Sequence, residues 1–283
     1  MASPRTVSPA PAQPAPLAAL MARRQPLVMG ILNITPDSFS DGGRFFDPAL
    51  ALAHARQLVA DGADIIDIGA ESTRPYGGAR PVSAEDELTR LKPVLAGVAG
   101  LGLPVSIDTM KATVADWALA NGATIANDVW GLQRDPDMAT VVAAHGAPVV
   151  VMHNRDDVEP TLDIMADIAA FFARSLDIAD KAGIGRDRVV LDPGIGFGKT
   201  AEQSLAVLAR LAELKTFGCP LLVGASRKRF IAHVVPSEPQ QRVGGSIAAH
   251  LAAAQAGAAI VRVHDVAPTV QALRVAAAIG QAP

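Results

Sequence analysis

Leu27-Val-Met-Gly-Ile-Leu-Asn-Ile-Thr-Pro-Asp-Ser-Phe-Ser-Asp-Gly-Gly43 passes from an apolar run interrupted only by Asn33 into a polar loop punctuated by Pro36 and the Gly42-Gly43 pair. The first part reads as a strand buried on both faces, because a short continuous apolar run bounded by turn residues fits that environment. An amide held at the end of such a strand, before an acidic loop with one aromatic, Phe39, fits half of an active site. It equally fits a buried amide satisfied by backbone beside an ordinary surface loop.

Working outward, the same unit recurs. Apolar strands ending in polar residues are expected at 27–34, 64–69, 104–108, 124–128, 148–153, 188–192, 220–226 and 259–264. Helical stretches alternate with them. Asp47-Pro48 opens one helix with a capping acid and a first-turn proline, and Ala51, Ala55, Leu58 and Val59 lie on one face of it. Ser83 to Asp86 has capping-box spacing before a stripe of Leu88, Leu91, Leu95 and Val98, and the shortest crossover leaves a helix at 112–120. Gly-Ala pairs at Gly62, Gly122, Gly146 and Gly257 precede strands, and glycine suits the left-handed position that ends a helix.

Eight strands alternating with helices predict an α/β protein, a single (β/α)8 TIM barrel over residues 25–283. Residues 1–24, rich in Ala, Pro and Ser, are expected to form a disordered tail. An open doubly wound sheet is disfavoured: Gly30-Ile31-Leu32 is not a dinucleotide fingerprint, and Gly194, Gly196 and Gly198 miss its spacing and come late.

Composition narrows the partners. A net charge of -3 gives no reason to expect nucleic acid or an anionic membrane. The single cysteine, Cys219, precludes an intrachain disulfide framework and reads as a small core residue. No apolar run approaches the roughly 20 residues that span a bilayer.

In a barrel of this kind chemistry belongs at the C-terminal ends of the strands. Those ends carry Asn33; Glu71 to Arg74; Asp108; Asn127 and Asp128; His153; Asp192; Ser226 to Lys228; and Arg262 and His264. Any one of them could be a rim residue bonded to backbone, but the set contains two chemistries. Asp108, Asn127 and Asp192 suit a flat, donor-rich heterocycle, since a carboxylate takes two parallel N–H bonds from a guanidine-like edge. Arg262, His264, Thr73 and Asn33 suit a polyphosphate, with the Asn33 amide oxygen able to ligate Mg2+. Lys228 suits either. The residues alone therefore point to a heterocycle joined to a diphosphate.

Seven motifs, in order along nearly the whole chain after the tail, together resemble the dihydropteroate synthase family. They are the loop ending at Gly43, Asp67-Ile-Gly-Ala-Glu-Ser-Thr-Arg-Pro75, Ser106-Ile-Asp-Thr109, Asn127-Asp128, Leu191-Asp-Pro-Gly-Ile-Gly-Phe-Gly-Lys199, Ser226-Arg-Lys228 and Arg262-Val-His264. The resemblance implies condensation of 6-hydroxymethyl-7,8-dihydropterin diphosphate with 4-aminobenzoate to 7,8-dihydropteroate and diphosphate. It implies that Asp108, Asn127, Asp192 and Lys228 hold the pterin, with Met152 and Arg262 against its faces. Asn33 is implied as the Mg2+ ligand; Thr73, Arg262 and His264 as diphosphate contacts; and Phe39, Arg74, Pro75 and Phe197 as the aminobenzoate pocket. Asp192, Asp108, Lys228, Arg262 and His264 are the expected catalytic residues.

Loss of diphosphate leaves a cationic pterin that water would capture, so loops 35–43 and 73–80 are expected to close over the site, with Asp41 and Arg74 in contact. Two positions depart from the family wording. Arg229 follows Lys228 where a serine can stand, and either Arg229 or the start of the following helix is expected to meet the aminobenzoate carboxylate. His153-Asn154-Arg155 also differs, which leaves His153 as an active-site or a rim residue. The resemblance further implies a cytoplasmic, sulfonamide-targeted homodimer, with Ala-rich helices at 245–256 and 269–279 able to pack against a second copy. A methyltetrahydrofolate-binding methyltransferase would share the pterin cradle without needing the diphosphate residues, and a non-catalytic pterin-binding paralogue would keep the barrel alone.

Overall fold

The computed structural model describes residues 17–22, 25–35, 47–71 and 82–282. In chain order the elements are α1 (Leu17–Met21), β1 (Leu27–Asn33), α2 (Pro48–Ala60), β2 (Ile65–Gly69), α3 (Ala84–Leu91), α4 (Leu95–Ala99), β3 (Val105–Asp108), α5 (Ala112–Ala120), β4 (Ile125–Asp128) and α6 (Met138–Ala144). They continue with β5 (Val149–Met152), α7 (Ile164–Lys181), β6 (Val189–Asp192), α8 (Ala201–Ala209), β7 (Leu222–Val223), α9 (Arg229–Val234), α10 (Val243–Gln255), β8 (Ile260–Val263) and α11 (Val266–Gly280).

All eight strands are parallel, ordered β6-β5-β4-β3-β2-β1-β8-β7. A parallel bridge between Leu191 and Leu221 joins the two edges, with Leu191 N donating to Pro220 O at 2.9 Å. The sheet is thus a barrel, as expected from the alternating pattern. Several strands are shorter than the sequence implies. The predicted 220–226 contracts to Leu222–Val223, and the residues beyond it turn away to build the site.

The Gly-Ala pairs do what their chemistry allows. Gly62, Gly122, Gly146 and Gly257 have φ of 95°, 112°, 62° and 99°. Each following alanine then donates back into the helix just ended, Ala63 to Leu58, Ala123 to Ala118, Ala147 to Val142 and Ala258 to Ala253, at 2.9–3.2 Å. This is the six-to-one bond of a Schellman turn, and the alanines are buried against the sheet. Asp47 caps α2 through Ala49 N, and Ser83 caps α3 through Asp86 N. The stripe from Leu88 to Val98 does not form one helix: α3 ends at Leu91 and α4 begins at Leu95, because Pro93 lacks the N–H that would continue it.

Alternate residues along each strand face the barrel interior. The lowest inward layer is apolar: Leu27 and Met29, Ile65, Ile125, Val150, Val190, Leu222 and Ile260 are buried together. Leu17 and Leu20 of α1 join this cluster and close the N-terminal end. The tail boundary expected at residue 24 is therefore corrected for Leu17–Met21, whose apolar spacing supplies a plug; residues 1–16 lie outside the described residues.

Because Leu17 and Leu20 bury fully apolar side chains against strand interiors, Leu17→Ala with Leu20→Ala should lower unfolding free energy by roughly 3 kcal/mol. A urea titration that leaves the midpoint unchanged would show that α1 adds nothing to the barrel.

Candidate active site

The next inward layer decides the chemistry. Two residues above the apolar layer, Ile65 gives way to Asp67, Ile125 to Asn127, Val150 to Met152, Val190 to Asp192, Leu222 to Gly224 and Ile260 to Arg262. Asp108 occupies the matching level on β3. Period-two geometry thus converges these polar groups from separate strands on one point.

All but Asp67 line a narrow cleft formed by Asp108, Asn127, Val129, Met152, Asp192, Gly194, Ile195, Phe197, Gly224, Lys228 and Arg262. Its centre is an ion cluster. Arg262 Nε donates to Asp67 Oδ2 at 2.6 Å, and its Nη2 donates to Asp108 Oδ2 at 2.6 Å. Asp67 Oδ1 accepts from Asn127 Nδ2 at 3.2 Å, so one buried carboxylate orients both the guanidinium and the amide. Asp108 Oδ1 is buried and has no hydrogen-bond partner among the described residues. Such an oxygen is expected to be satisfied by something that enters the cleft.

On the opposite wall Asp192 Oδ1 accepts from Gly194 N at 2.7 Å, leaving Oδ2 for a ligand. Lys228 Nζ lies 3.8 Å from the centre of the Phe197 ring, a cation–π contact that holds the ammonium over the aromatic face. The preceding residue, Arg227, has φ of 58°, a conformation uncommon for a non-glycine residue. It is held there by a two-point ion pair to Asp265 at 3.0 and 2.6 Å, with its N–H donating to Ser246 Oγ at 2.9 Å. That strained turn is what delivers Lys228 to the cleft.

Burial dominates the electrostatics. Desolvation pushes Asp108 up to about 7, against the attraction of Arg262, with Asp67, Glu87 and Asp128 adding repulsion. Desolvation also raises Asp192 to about 6, opposed by the Gly194 hydrogen bond and by Lys228 and Arg262. Asp128, likewise raised to about 6 by burial, points away and accepts from Trp130 N and Leu132 N at 2.9 and 2.6 Å, shaping the loop after β4.

The sequence-predicted pterin residues Asp108, Asn127, Met152, Asp192, Lys228 and Arg262 come together, and Phe197 joins them. Asn33 ends β1 and His264 follows β8, adjacent strands whose ends meet above the cleft. His264 is oriented by Ser226, whose Oγ lies 3.0 Å from its Nδ1. Arg229 is exposed at the first position of α9. Phe39, Asp41, Thr73, Arg74 and Pro75 lie outside the described residues, and loop closure with them. Asp67, Val129, Ile195 and Gly224 were not singled out from sequence as site residues. Asp67 carries a usable signal: a lone carboxylate in Ile-Ile-Asp-Ile, on the inward parity of its strand.

A barrel with this cleft belongs to a known class: a family profile described as pterin binding enzyme matches residues 29–264. The dihydropteroate synthase of Bacillus subtilis is 47% identical over 249 residues, covering 88% of this chain and 86% of the relative. The solved structure of Xanthomonas albilineans dihydropteroate synthase with 4-aminobenzoic acid superposes with a TM-score of 0.87 at 46% identity, covering 92% of this chain and 94% of that one. The same enzyme in complex with 7,8-dihydropteroate gives 0.84 at 44% identity, over 92% and 95%. This chain belongs to the dihydropteroate synthase family, transferases of folate biosynthesis.

The raised acids carry a stability consequence. A carboxyl whose folded value lies above its free value near 3.9 is destabilising when ionised, so the penalty is present above the folded value and absent below the free one. Asp192→Asn should therefore stabilise the protein at about pH 8 by on the order of 3 kcal/mol, the gain vanishing as pH falls through about 6 towards 4. Urea midpoints across that range check it, and a variant no more stable than wild type at about pH 8 would refute the burial argument.

Proposed function

We propose that this chain condenses 6-hydroxymethyl-7,8-dihydropterin diphosphate with 4-aminobenzoate, giving 7,8-dihydropteroate and releasing diphosphate. The observation that carries the reading is the pair of buried carboxylates, Asp108 and Asp192, each with an oxygen left for a ligand on facing walls of one narrow cleft. A pterin offers a guanidine-like edge and ring N–H groups to such acceptors, an acceptor to the Asn127 amide, and flat faces to Met152 and Arg262.

Asp67 and Asp108 occupy Nε and Nη2 of Arg262, leaving Nη1 of the fork for a ligand oxygen. The guanidinium thus braces the ring and reaches towards the diphosphate, where His264, Thr73 and Asn33 complete the contacts. Asp192 and Asp108 stabilise positive charge that develops on the dihydropterin as the CH2–O bond breaks. The arylamine is neutral and nucleophilic near pH 7, so no dedicated general base is required. Phe39, Arg74, Pro75 and Phe197 form its pocket, with Arg229 at the carboxylate end.

Mg2+ fits as a cation carried on the substrate. No cluster of three or more His, Cys, Asp or Glu among the described residues could hold a metal ion, and Asn33 offers a single amide oxygen. That suits an ion bound mostly by diphosphate oxygens and water. When bound, Mg2+ would neutralise the leaving diphosphate. We further read the enzyme as a cytoplasmic homodimer of a sulfonamide-targeted family.

Diphosphate release from the pterin diphosphate with Mg2+ should require 4-aminobenzoate and fall by roughly 100-fold or more in Asp192→Asn. Chelation by EDTA should abolish it. Calorimetric pterin binding without any release would instead identify a binding paralogue, and full activity in the Asn variant would remove Asp192 from the mechanism.

A further inference from the structure

Behind the cleft, and contributing no atom to its lining, lies a second buried polar chain. Lys199 is 3% exposed, and its Nζ makes three bonds: to His153 Nδ1 at 2.7 Å, Gly194 O at 2.9 Å and Phe197 O at 3.1 Å. Burial pushes the Lys199 amine down to about 7, opposed by the nearby Asp192 and Asp167 carboxylates, and in the protonated form its three N–H groups match these three acceptors. With Lys199 protonated, His153 Nδ1 accepts, which places the imidazole proton on Nε2, 3.0 Å from Asp167 Oδ2. Asp167 Oδ2 accepts in turn from Arg155 Nη1 at 2.8 Å. Burial and the Lys199 charge push His153 down to about 3, which keeps the imidazole neutral.

The two carbonyls that Lys199 holds belong to residues that touch the site. Gly194 donates its N–H to Asp192 Oδ1, and Phe197 supplies the ring beneath Lys228. The loop between them is pressed against the strand-five exit. A Cβ on Gly194 would lie 1.9 Å from His153 O, and one on Gly198 would lie 2.4 Å from Arg155 Cβ. Gly194, Gly196 and Gly198 all have positive φ, so every second residue of the loop lacks a side chain, and only Ile195 and Phe197 anchor it from within. A glycine-rich loop of this kind needs an external clamp to present fixed groups.

We propose that Lys199, braced by His153 and Asp167, is a positioning residue for pterin recognition. It fixes Gly194 and through it the Asp192 carboxylate, and fixes Phe197 and through it Lys228. This rests on the dihydropteroate synthase reading of the cleft. Lys199 contributes nothing to the cleft lining and turns its Nζ to three protein groups, so it acts through Gly194 and Phe197 rather than on the substrate directly.

Binding of 6-hydroxymethylpterin by calorimetry and steady-state rates test the assignment. Wild type must bind the pterin and release diphosphate, which checks the underlying reading independently. Lys199→Ala should then weaken pterin affinity by roughly 10- to 100-fold, and added propylammonium should restore most of it by refilling the ammonium site. His153→Gln, whose amide can accept from Lys199 and donate to Asp167, should bind within a few-fold of wild type, whereas His153→Leu should lose about tenfold. Pterin affinity unchanged in Lys199→Ala overturns the proposal. So does a loss that propylammonium does not restore, or equal losses in His153→Gln and His153→Leu, because either would mark a general packing defect.

Discussion

Arg262 sits between Asp67 and Asp108 in the middle of a barrel otherwise filled with aliphatic side chains, and much else is arranged to make that tolerable. A guanidinium removed from water is expensive unless its donors are met at good geometry. Here two carboxylates meet it at 2.6 Å, and one of them also holds Asn127. Burial raises Asp108, with the neighbouring Asp67 adding repulsion because two acids surround one base, and one of the Asp108 oxygens is left unpaired among the described residues. The cleft is therefore an incomplete electrostatic unit, short of donors, that a donor-rich heterocycle completes.

Stability and recognition pull against each other around this unit. Asp192 and Asp108 would be better solvated, or replaced by amides, if folding were the only demand. The apolar layer beneath them, closed by α1, contributes the hydrophobic stabilisation that offsets their cost. It also excludes the water that would otherwise satisfy them, so the feature that strains the folded state gives the site its appetite for a ligand.

The barrel was legible because strand and helix periods alternate cleanly and because the Gly-Ala pairs mark Schellman turns whose geometry is local. Asn127, Asp192 and Arg262 were legible for a related reason: strand parity places them two residues above an apolar position, and Asp108 pairs with Asn127 at the same level. Local rules failed where the deciding contact is distant or where a single residue interrupts a pattern. Pro93 cuts the helical stripe after Leu91. Leu17 and Leu20 look like isolated residues in a Pro-rich segment until the open end of the barrel is present to receive them. Asp67 reads as a strand interior until Arg262 arrives from 195 positions away. Lys199 gives no hint that its partner is His153, 46 positions earlier and on the neighbouring strand's exit.

The ring is thinnest between β6 and β7, where one bridge at Leu191 and Leu221 replaces the ladders that join every other pair of neighbours. Its two banks are those that carry Asp192 and Lys228. A planar molecule gripped by both would act as a rung across the gap, supplying from solution the cross-link that the backbone omits. Occupancy of the cleft would then brace the barrel at the join where its backbone pairing is thinnest.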